Sequence, residues 1–438
     1  MPSFQTLRLE DCLDELIDYR GKSPEKSLHG IPVLSAKVVK TSGLIEPIEQ
    51  KVAPEYYKRW MTRGFPRPGD VVFTTEGPLG EVLQLDDRTA EFALGQRIVC
   101  LRGRPEVLDN TYLRYLLASP TQQAVLQSFA TGTTVLGISQ KALRSVPVTL
   151  PDFENQVQIG ATLKSLDDKI ELNRKTNETL EAMAQAIFRD WFVDFGPVRR
   201  KTEGASDPFT ILGGLLPEGA SNAAHIASLF PDRLSDDGLP EGWKRRPLQQ
   251  IARLNPASWT AKRHPEEVEY VDLSNTKWGT IQSTELLSWA DAPSRARRIV
   301  QPDDCIMATT RPGNGSFAFI SQEGLTASTG FAVLRPKHKR YVNSVYLAVT
   351  QKENIQRLAS LADGHGGAYP AVNPSTVLDT EITLAQDAVY SAIESVLNPI
   401  RKLIEQRKLE NIDLAKMRDL LLPQLMSGAV QVMAEAGA

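Results

Sequence analysis

The stretch DVVFTTEGP at residues 70–78 returns 234 positions later as DCIMATTRP at residues 304–312. Both copies begin with an aspartate, continue as an apolar run typical of a buried strand, and enter a threonine-rich turn closed by proline. Further along, VCLRG at 99–103 lies over AVLRP at 332–336, and ATG at 130–132 lies over ADG at 362–364. One long period that preserves residue types at many positions indicates an internal duplication. The sequence therefore predicts a tandem of two related globular units.

The composition is that of a multidomain globular protein. The 438 residues, 41% of them hydrophobic, are enough for about two to four domains at roughly 100–200 residues each. Short β-branched and aromatic runs alternate with Gly and Pro turns and a few helical patterns, which predicts a mixed α/β fold. No apolar run reaches the ~18 residues of a membrane helix, and the acidic start is unlike a secretory signal. We therefore expect a cytoplasmic protein that contacts no membrane.

The sequence contains no convincing motif for a metal, a cofactor or catalysis. Cys12, Cys100 and Cys305 are far apart and lack ligand spacing, so we expect buried apolar residues rather than a zinc site or disulfides. GKS at 21–23 lacks the glycine that a phosphate loop requires at position 16, where Leu16 stands. GNGSFA at 313–318 runs into the strand-like FAFI, where a dinucleotide motif requires a helix. We predict no metal, no cofactor and no catalysis by this chain alone.

Charge and composition divide the chain into segments. The net charge is −3 overall, but +1 over residues 1–150, −5 over 201–242 and +4 over 243–385. This distribution suits two basic globules on an acidic frame. The predicted domains are a first globule at 1–150, a helical spacer at 151–200, an interdomain linker at 201–242, a second globule at 243–385 and a second helical spacer at 386–438.

Each spacer carries a heptad pattern. In the first spacer, apolar residues recur in alternating steps of four and three from Ile159 to Trp191, and the pattern is interrupted by Asn173 and Asn177. The second spacer repeats this register from Ile393 to Leu425 and also has polar residues in its middle layers. Such a pattern is typical of a coiled coil, in which polar seam residues fix the register. We predict that the two helices pair with each other, and the alternative is that each packs on its own globule.

The stretch IFRDWFVDFGPV at 187–198 ends the first spacer with four aromatic rings. A pair of helices buries only one stripe of each, so the rings of Phe188, Trp191, Phe192 and Phe195 cannot all face the seam. Large aromatics beside Arg and Asp have the composition of a protein–protein hot spot. We expect at least some of these rings to face outward, and the alternative is that they fold back into the core of the second globule.

Four stretches resemble the specificity subunit of Type I restriction–modification systems. They are GTTVLGISQKALRSVPVTLPDFENQ at 132–156, LKSLDDKIELNRKTNETLEAMAQAIFRDWFVDFGPV at 163–198, LPEGWKRRPLQQIA at 239–252 and MRDLLLPQLMSGAV at 417–430. The match follows the family order over nearly the whole chain, and its middle stretch is highly specific. One departure is the loop DGHGGAYPAVNPSTVLDTEITL at 363–384, where His365, Tyr369 and Pro370 replace the Ser or Thr and Ile residues that are usual in the family.

The resemblance implies a fold and a set of partners. The fold would be two target-recognition domains, separated by two conserved helices that pair as an antiparallel coiled coil. Each domain would read half of a split, asymmetric site on double-stranded DNA. Two methyltransferase subunits would dock on the conserved helices, and restriction subunits would join through them. The residues assigned to this docking are Phe188, Trp191, Phe192, Phe195, Leu422, Leu425 and Met426.

Residues that read base edges must be polar and carried on turns, as with Arg to guanine and Asn or Gln to adenine. The candidates in the first globule are Arg20, Lys22, Ser23, Lys58, Arg59, Arg63, Thr74, Thr75, Thr133, Thr134 and Gln140. Those in the second are Lys262, Arg263, Asn275, Lys277, Arg295, Arg297, Arg298, Thr310, Arg311, Asn314, His365, Tyr369 and Asn373.

Two other functions stay open at this point. The chain could be a free-standing, regulatory DNA-binding protein with a two-domain grip, which capture of a methyltransferase partner would argue against. It could also be a nuclease or methyltransferase in its own right, a hypothesis that the failed motifs do not favour.

Overall fold

The computed structural model describes residues 4–19, 21, 23–214, 222–364 and 370–432. It divides into two compact units. Unit 1 joins Met1–Asn173 to Leu409–Ala438, and unit 2 is the intervening Arg174–Lys408. Each unit therefore contains one globule together with a part of each long helix.

The globule of unit 1 mixes short strands and helices. In chain order its elements are β1 (Gln5–Arg8), α1 (Leu9–Cys12), β2 (Leu13–Asp18), β3 (Ile31–Leu34), β4 (Val39–Lys40), β5 (Gly43–Leu44), β6 (Lys51–Val52), α2 (Pro54–Trp60), β7 (Val71–Thr75), β8 (Leu79–Gln84), β9 (Ala93–Leu94), β10 (Ile98–Gly103), α3 (Asn110–Ala118), α4 (Pro120–Ser128), α5 (Gln140–Ser145) and β11 (Pro147–Leu150), followed by the long helix α6 (Phe153–Phe192).

The centre of this globule is a four-stranded antiparallel sheet in the order β2-β10-β7-β8. Alternate residues of β7 point to opposite faces, so Phe73 packs in one core with Tyr112 of α3, and Val72 packs in another with Trp60 of α2. Because both faces are covered, the strand has the continuous apolar run that the sequence shows. Two further pairings complete the globule, since β3 lies parallel to β9 and β1 antiparallel to β11.

The globule of unit 2 begins with three additional short helices and then follows a similar order of elements. It contains α7 (Gly196–Thr202), α8 (Pro208–Ile211), α9 (Ala223–Ser228), β12 (Lys244–Pro247), β13 (Ala252–Leu254), β14 (Glu267–Val271), β15 (Thr276–Lys277), β16 (Thr280–Ile281), β17 (Glu285–Ser288), β18 (Ala296–Ile299), β19 (Cys305–Ala308), β20 (Phe317–Phe319), β21 (Leu325–Ser328), β22 (Phe331–Pro336), α10 (Val342–Thr350), α11 (Lys352–Gly364), α12 (Pro374–Leu378) and β23 (Glu381–Leu384), and then comes the long helix α13 (Asp387–Ser427).

The predicted duplication is confirmed by the topology of the two globules. The sheet β13-β22-β19-β20 has the order of β2-β10-β7-β8, the parallel pair β14–β21 repeats β3–β9, and β12–β23 repeats β1–β11. A buried ion pair is repeated as well. Arg102 donates from Nε and Nη2 to the Asp70 carboxylate at 2.8 and 2.7 Å, and Arg335 donates in the same way to Asp304 at 2.8 and 2.7 Å.

The predicted antiparallel pairing of the long helices is also confirmed within each unit. In unit 1, Asn173 Nδ2 donates to Asn411 Oδ1 at 2.9 Å, and Asn411 Nδ2 donates to the Ile170 carbonyl at 3.2 Å. In unit 2, Asn177 Nδ2 makes the equivalent bond to the Ile404 carbonyl, also at 3.2 Å. The side-chain nitrogens of the seam asparagines therefore donate to each other's oxygen or to a facing backbone carbonyl, which fixes one register.

Each globule is fastened to the helix pair by a different set of charges. In unit 1, Asp167 of α6 accepts from Arg114 of α3 at 2.7 Å and from Arg418 of α13 at 2.8 Å. In unit 2, the buried Arg401 of α13 pairs with Glu181 of α6 at 3.1 Å, and its guanidinium lies 4.2 Å from the ring centre of Tyr346 in α10. A cation held over an aromatic face is stabilised by the ring quadrupole.

The expectation that the rings at the end of α6 face outward is wrong. Phe188, Trp191, Phe192 and Phe195 are all buried in one core cluster of unit 2. Trp191 meets Phe230 edge-on at 5.0 Å, and Phe192 stacks on Trp243 at 5.7 Å. The partners come from residues beyond 201, so the described part of the predicted linker at 201–242 packs into this core instead of running free. The alternative considered from the sequence, folding back onto the second globule, is the correct one.

The equivalent residues at the end of α13 are also covered. Leu422 and Leu425 are buried in the core of unit 1, and the partly buried Met426 packs against it. Their side chains therefore do not form the open docking surface that the sequence resemblance implied.

Candidate functional site

A loop at the carboxyl end of β7 carries the candidate residues of unit 1. The Ile138 N–H donates to the Thr75 carbonyl at 2.9 Å, which attaches the loop to the strand end. Thr131 and Gly137 exchange backbone hydrogen bonds at 2.8 and 2.9 Å and close the loop between them. Thr133 and Thr134 stand exposed at its tip, and Gln140 is half-buried in the first turn of α5. The structure thus places these three candidates on one anchored loop and the helix that follows it.

A polar cavity of about 530 Å³ lies at the base of this loop. Glu76 and Arg97 both line it and form a loose ion pair, with 3.9 Å between the carboxylate and the guanidinium. Arg97 holds a left-handed backbone at φ +62°, a conformation that a non-glycine residue adopts only where the surroundings support it. Glu76, Gln96 and Arg97 are not among the predicted residues, because nothing local in the sequence marks them as neighbours of the 131–139 loop.

The remaining candidates of unit 1 have mixed outcomes. Thr74 and Thr75 are 0% and 1% exposed, so their side chains cannot reach an external ligand, and their selection is corrected. Lys58 and Arg59 are exposed in the last turn of α2. Arg63 is exposed, but its Nη1 donates to the Asp18 carbonyl at 2.7 Å. Arg20 and Lys22 lie outside the described residues.

Unit 2 has the same arrangement at the carboxyl end of strand β19. The Val372 N–H donates to the Thr309 carbonyl at 2.9 Å, as Ile138 does to Thr75. The Arg311 N–H donates to the Pro370 carbonyl at 2.8 Å, so residues 370–373 lie beside the turn after β19. This brings the predicted residues Thr310, Arg311 and Asn373 to one place. Tyr369 and His365, which belong to the same segment, lie outside the described residues.

The β15–β16 hairpin adds further candidates to this strand end. Lys277 Nζ lies 3.4 Å from the Asn314 carbonyl and 3.2 Å from Ser316 Oγ, as a hydrogen-bond donor to both. Beside it, Trp278 is 64% exposed at φ +44° and rests on Gly315, where an added Cβ would lie 2.5 Å from the ring. Trp278 is not among the residues that the sequence predicted to contact DNA. A tryptophan in the turn KWG between polar residues was the only available signal.

The basic cluster of RARR at 295–298 belongs to a different sheet, β17-β14-β21-β18. Arg295 donates to Tyr270 Oη and Asp272, and Arg297 lies over the Trp289 ring at 4.2 Å. Arg298 is half-buried, bonds Ser258 Oγ at 3.2 Å, and has its pKa lowered by burial. These side chains are committed to contacts within the unit, so the structure does not join them to the strand-end group. Lys262 and Arg263 are exposed on the turn that follows Trp259, and Asn275 is half-buried before the hairpin.

Two kinds of feature are absent from the described residues. Among residues 4–432 with their gaps, no helix has the length and apolar character needed to span a bilayer. In the same part of the chain, no three His, Cys, Asp or Glu side chains converge as metal ligands would.

Comparison with known proteins gives concordant likenesses. Residues 12–182 match the family model of the Type I restriction modification DNA specificity domain. The Type I restriction enzyme HindI specificity subunit of Haemophilus influenzae is 26% identical over 404 residues, which cover 83% of this chain and 87% of that relative. The MjaIX specificity subunit of Methanocaldococcus jannaschii is 22% identical over 396 residues, covering 88% and 82%.

A solved structure extends the likeness to the fold of the whole chain. The S subunit of a Type I restriction–modification system from M. genitalium matches with a TM-score of 0.52 at 14% identity. The alignment covers 99% of this chain and 97% of that one. The two-globule, two-helix architecture is therefore shared.

Proposed function

Because the chain belongs to the family of Type I restriction–modification specificity subunits, we propose that it binds double-stranded DNA at a two-part, asymmetric site. Each globule reads one half of the site through the loops at its strand end. In unit 1 the reading residues come from the loop of Thr133 and Thr134. In unit 2 they come from the turn of Arg311 and Asn314, beside Lys277 and Trp278.

One observation carries this proposal: the same loop platform is built twice on the same sheet. The Asp–Arg pair, the strand end and the anchoring bond from Ile138 or Val372 recur in both units. The side chains displayed on the two platforms differ, with threonines on one and Arg, Lys, Asn and Trp on the other. A repeated scaffold with unlike reading residues is what an asymmetric two-part site requires.

We also propose the protein partners of this chain and a non-catalytic role for it. Two methyltransferase subunits dock on this chain, and restriction subunits join through them. The chain itself performs no catalysis and supplies recognition to the complex. Its place of work is the cytoplasm, where the DNA substrate lies.

The test is reconstitution of the full chain with a methyltransferase subunit encoded beside it. We expect co-purification of the two proteins and binding to one two-part DNA site, with a preference of about 4–10 kcal/mol over unrelated DNA. The two affinities should be measured at physiological ionic strength, because binding through phosphate contacts alone depends strongly on the salt concentration. Site-specific binding by the chain alone, with no partner captured, would instead support a free-standing DNA-binding protein.

A further inference from the structure

A cavity of about 400 Å³ opens in unit 2 where helix α6 ends. Phe188, Phe192 and Phe195 of this helix end, Ala348 of α10 and Tyr390 of α13 form its apolar walls. The volume lies in the range of sites that hold a small ligand or an inserted side chain. The aromatic rings that terminate α6 thus pack into the core on one side and line an open cavity on the other.

The duplication relates one lining residue of the cavity to a residue of unit 1. Helix α3 begins at residue 110 and α10 at residue 342, so Tyr112 corresponds to Ser344. Contacts to the long helices support this correspondence. Gly160 of α6 lies so close to α3 that an added Cβ would be 3.0 Å from the Tyr112 nitrogen. At the equivalent place in α13, Glu394 accepts from the backbone N–H of Ser344 and from that of Asn343, the latter at 2.6 Å.

The two corresponding side chains differ greatly in size. Tyr112 is completely buried and is among the largest fully buried residues of the protein. Ser344 lines the cavity, and its side chain lacks the phenol ring of a tyrosine. A side chain that enters the cavity and covers its apolar walls gains roughly 25 cal/mol for each Å² of apolar surface removed from water.

Ser344 also supplies a polar group for such an occupant. It is 1% exposed, and its Oγ has no hydrogen-bond partner within the described part of the chain. A buried hydroxyl without a partner is costly. A ligand that places a hydroxyl beside Ser344 would remove this cost while its ring fills the apolar space.

The rim of the cavity is charged. Arg245 pairs with Glu381 at 2.8 Å, and Arg189 pairs with Glu353, and these side chains are exposed or nearly so. Arg357 lines the wall, donating to Asn354 Oδ1 and Thr380 Oγ1 at 2.9 and 3.0 Å. An apolar floor inside a polar rim is the anatomy of a protein–protein hot spot, where a buried aromatic side chain supplies most of the affinity.

We propose that this cavity receives a tyrosine side chain of the methyltransferase subunit. The incoming ring packs from the open side against the wall that the stacked rings of Phe188, Phe192 and Tyr390 form. Its hydroxyl bonds Ser344 Oγ, so the partner supplies a tyrosine in unit 2 where the chain itself has Tyr112 in unit 1. The inference rests on the proposed function for the identity of the partner. It adds the place and the chemistry of one anchor.

The first experiment probes the cavity in the full chain with p-cresol, which is the tyrosine side chain as a free molecule. Wild type should bind it saturably by ligand-observed NMR, and Ser344→Tyr should abolish the binding by filling the space from within. The matched control is Ser360→Tyr, the same change at an exposed position of α11 outside the cavity lining, which should bind p-cresol as wild type does. Absence of saturable binding by wild type overturns the inference.

The second experiment measures assembly with the methyltransferase subunit. Ser344→Tyr should weaken assembly by about 30-fold, the loss expected for blocking a hot spot, whereas Ser360→Tyr should not. Should Ser344→Tyr fail to fold, saturating p-cresol added to wild type gives the same comparison, because it should compete with assembly. If wild type assembles and neither Ser344→Tyr nor p-cresol changes the affinity, the anchor inference is refuted while the proposed function stands. If wild type does not assemble at all, the proposed function itself fails.

Discussion

At the scale of single residues, the buried Asp–Arg pair is the most exact repeat in the molecule. Asp70 and Asp304 each accept from a backbone N–H three residues earlier, at 2.8 Å in both units, as well as from the arginine. The hydrogen bonds that Arg102 donates to Asp70 raise the pKa of Arg102, and those that Arg335 donates to Asp304 raise the pKa of Arg335. Each aspartate thus fixes the turn that leads into the central strand and joins it to the neighbouring strand.

Loss of this pair should destabilise the unit that contains it. Asp304→Asn keeps the shape of the side chain but leaves Arg335 without its carboxylate, and we expect a loss of about 2–3 kcal/mol, reduced from the value for a fully buried pair by the partial exposure of Arg335. Urea unfolding followed by tryptophan fluorescence measures this, since five of the six tryptophans lie in unit 2.

The adjacent Asp303 provides the control. It pairs with the exposed Lys339, and asparagine tolerates its left-handed backbone at φ +75°. Asp303→Asn should therefore change stability by less than about 1 kcal/mol. Equal effects of the two substitutions would contradict the structural role of the buried pair.

Residue-level selection from the sequence was the least successful step. Thr74 and Thr75 were chosen because they follow an apolar run, but the sheet is covered on both faces up to its end and buries them. Arg295 was chosen for its charge, but Asp272 and Tyr270 already hold it. Whether a polar side chain is accessible depends on residues distant in sequence, and local pattern carries no information about these.

At the scale of elements, the long helices were the most predictable part. Their heptads are a local property, so the seam and its polar layers could be assigned from spacing alone. The burial of the aromatic rings at the end of α6 could not be predicted from spacing. Its rings are covered by Phe230, Trp243 and Tyr390, and two of these lie in or next to a segment whose Gly, Pro and acidic content is typical of a linker.

Lengthening both helices by one heptad should change the spacing of the recognised half-sites. Seven residues inserted after Asn173 in α6 and after Lys408 in α13 preserve the seam on both sides and add about 10.5 Å to each helix. We expect the unread stretch of the DNA site to grow by about three base pairs, at ~3.4 Å each, with both half-site sequences retained.

Methylation mapping in a host that carries the assembled complex would measure the new spacing. The control is a seven-residue insertion in the surface turn Ser235–Gly238, which lies in unit 2 but outside the helices. This insertion should leave the spacing unchanged. A lengthened coiled coil with an unaltered spacer would argue against the helices as the determinant of distance.

At the scale of the whole molecule, the repeat predicted two related units but not their strand order. The sheet order β2-β10-β7-β8 brings together strands that are distant in sequence, and the parallel pair β3–β9 closes across some sixty residues. Only the recurrence of the same topology in unit 2 shows that this order is a property of the fold. Domain boundaries taken from composition stay predictions, although the strand pairs at the edges of each globule fall near them.

Exchanging residues 243–385 for the equivalent segment of another specificity subunit should alter only one half of the recognised site. The exchange is structurally permitted because the segment enters through β12 and leaves through β23, which pair directly from Lys244↔Leu384 to Pro247↔Glu381. Both ends therefore lie side by side on unit 2. Sequencing of methylated sites would identify each half separately, and a change in both halves would contradict independent reading.

The two globules contact the helix pair through different charged residues, and this difference disfavours the packing of either globule on the helix segment of the other. If the globule of unit 1 settled on the helix segment that belongs to unit 2, Arg114 would approach Arg401, the counterpart of Asp167, and two guanidinium groups would repel each other. The reverse error would set the ring of Tyr346 against the carboxylate of Asp167, which would lose its salt bridge to Arg114 and keep only the one to Arg418. A duplicated protein risks misassembly between its copies, and the opposite charges of Asp167 and Arg401 at equivalent helix positions disfavour that error here.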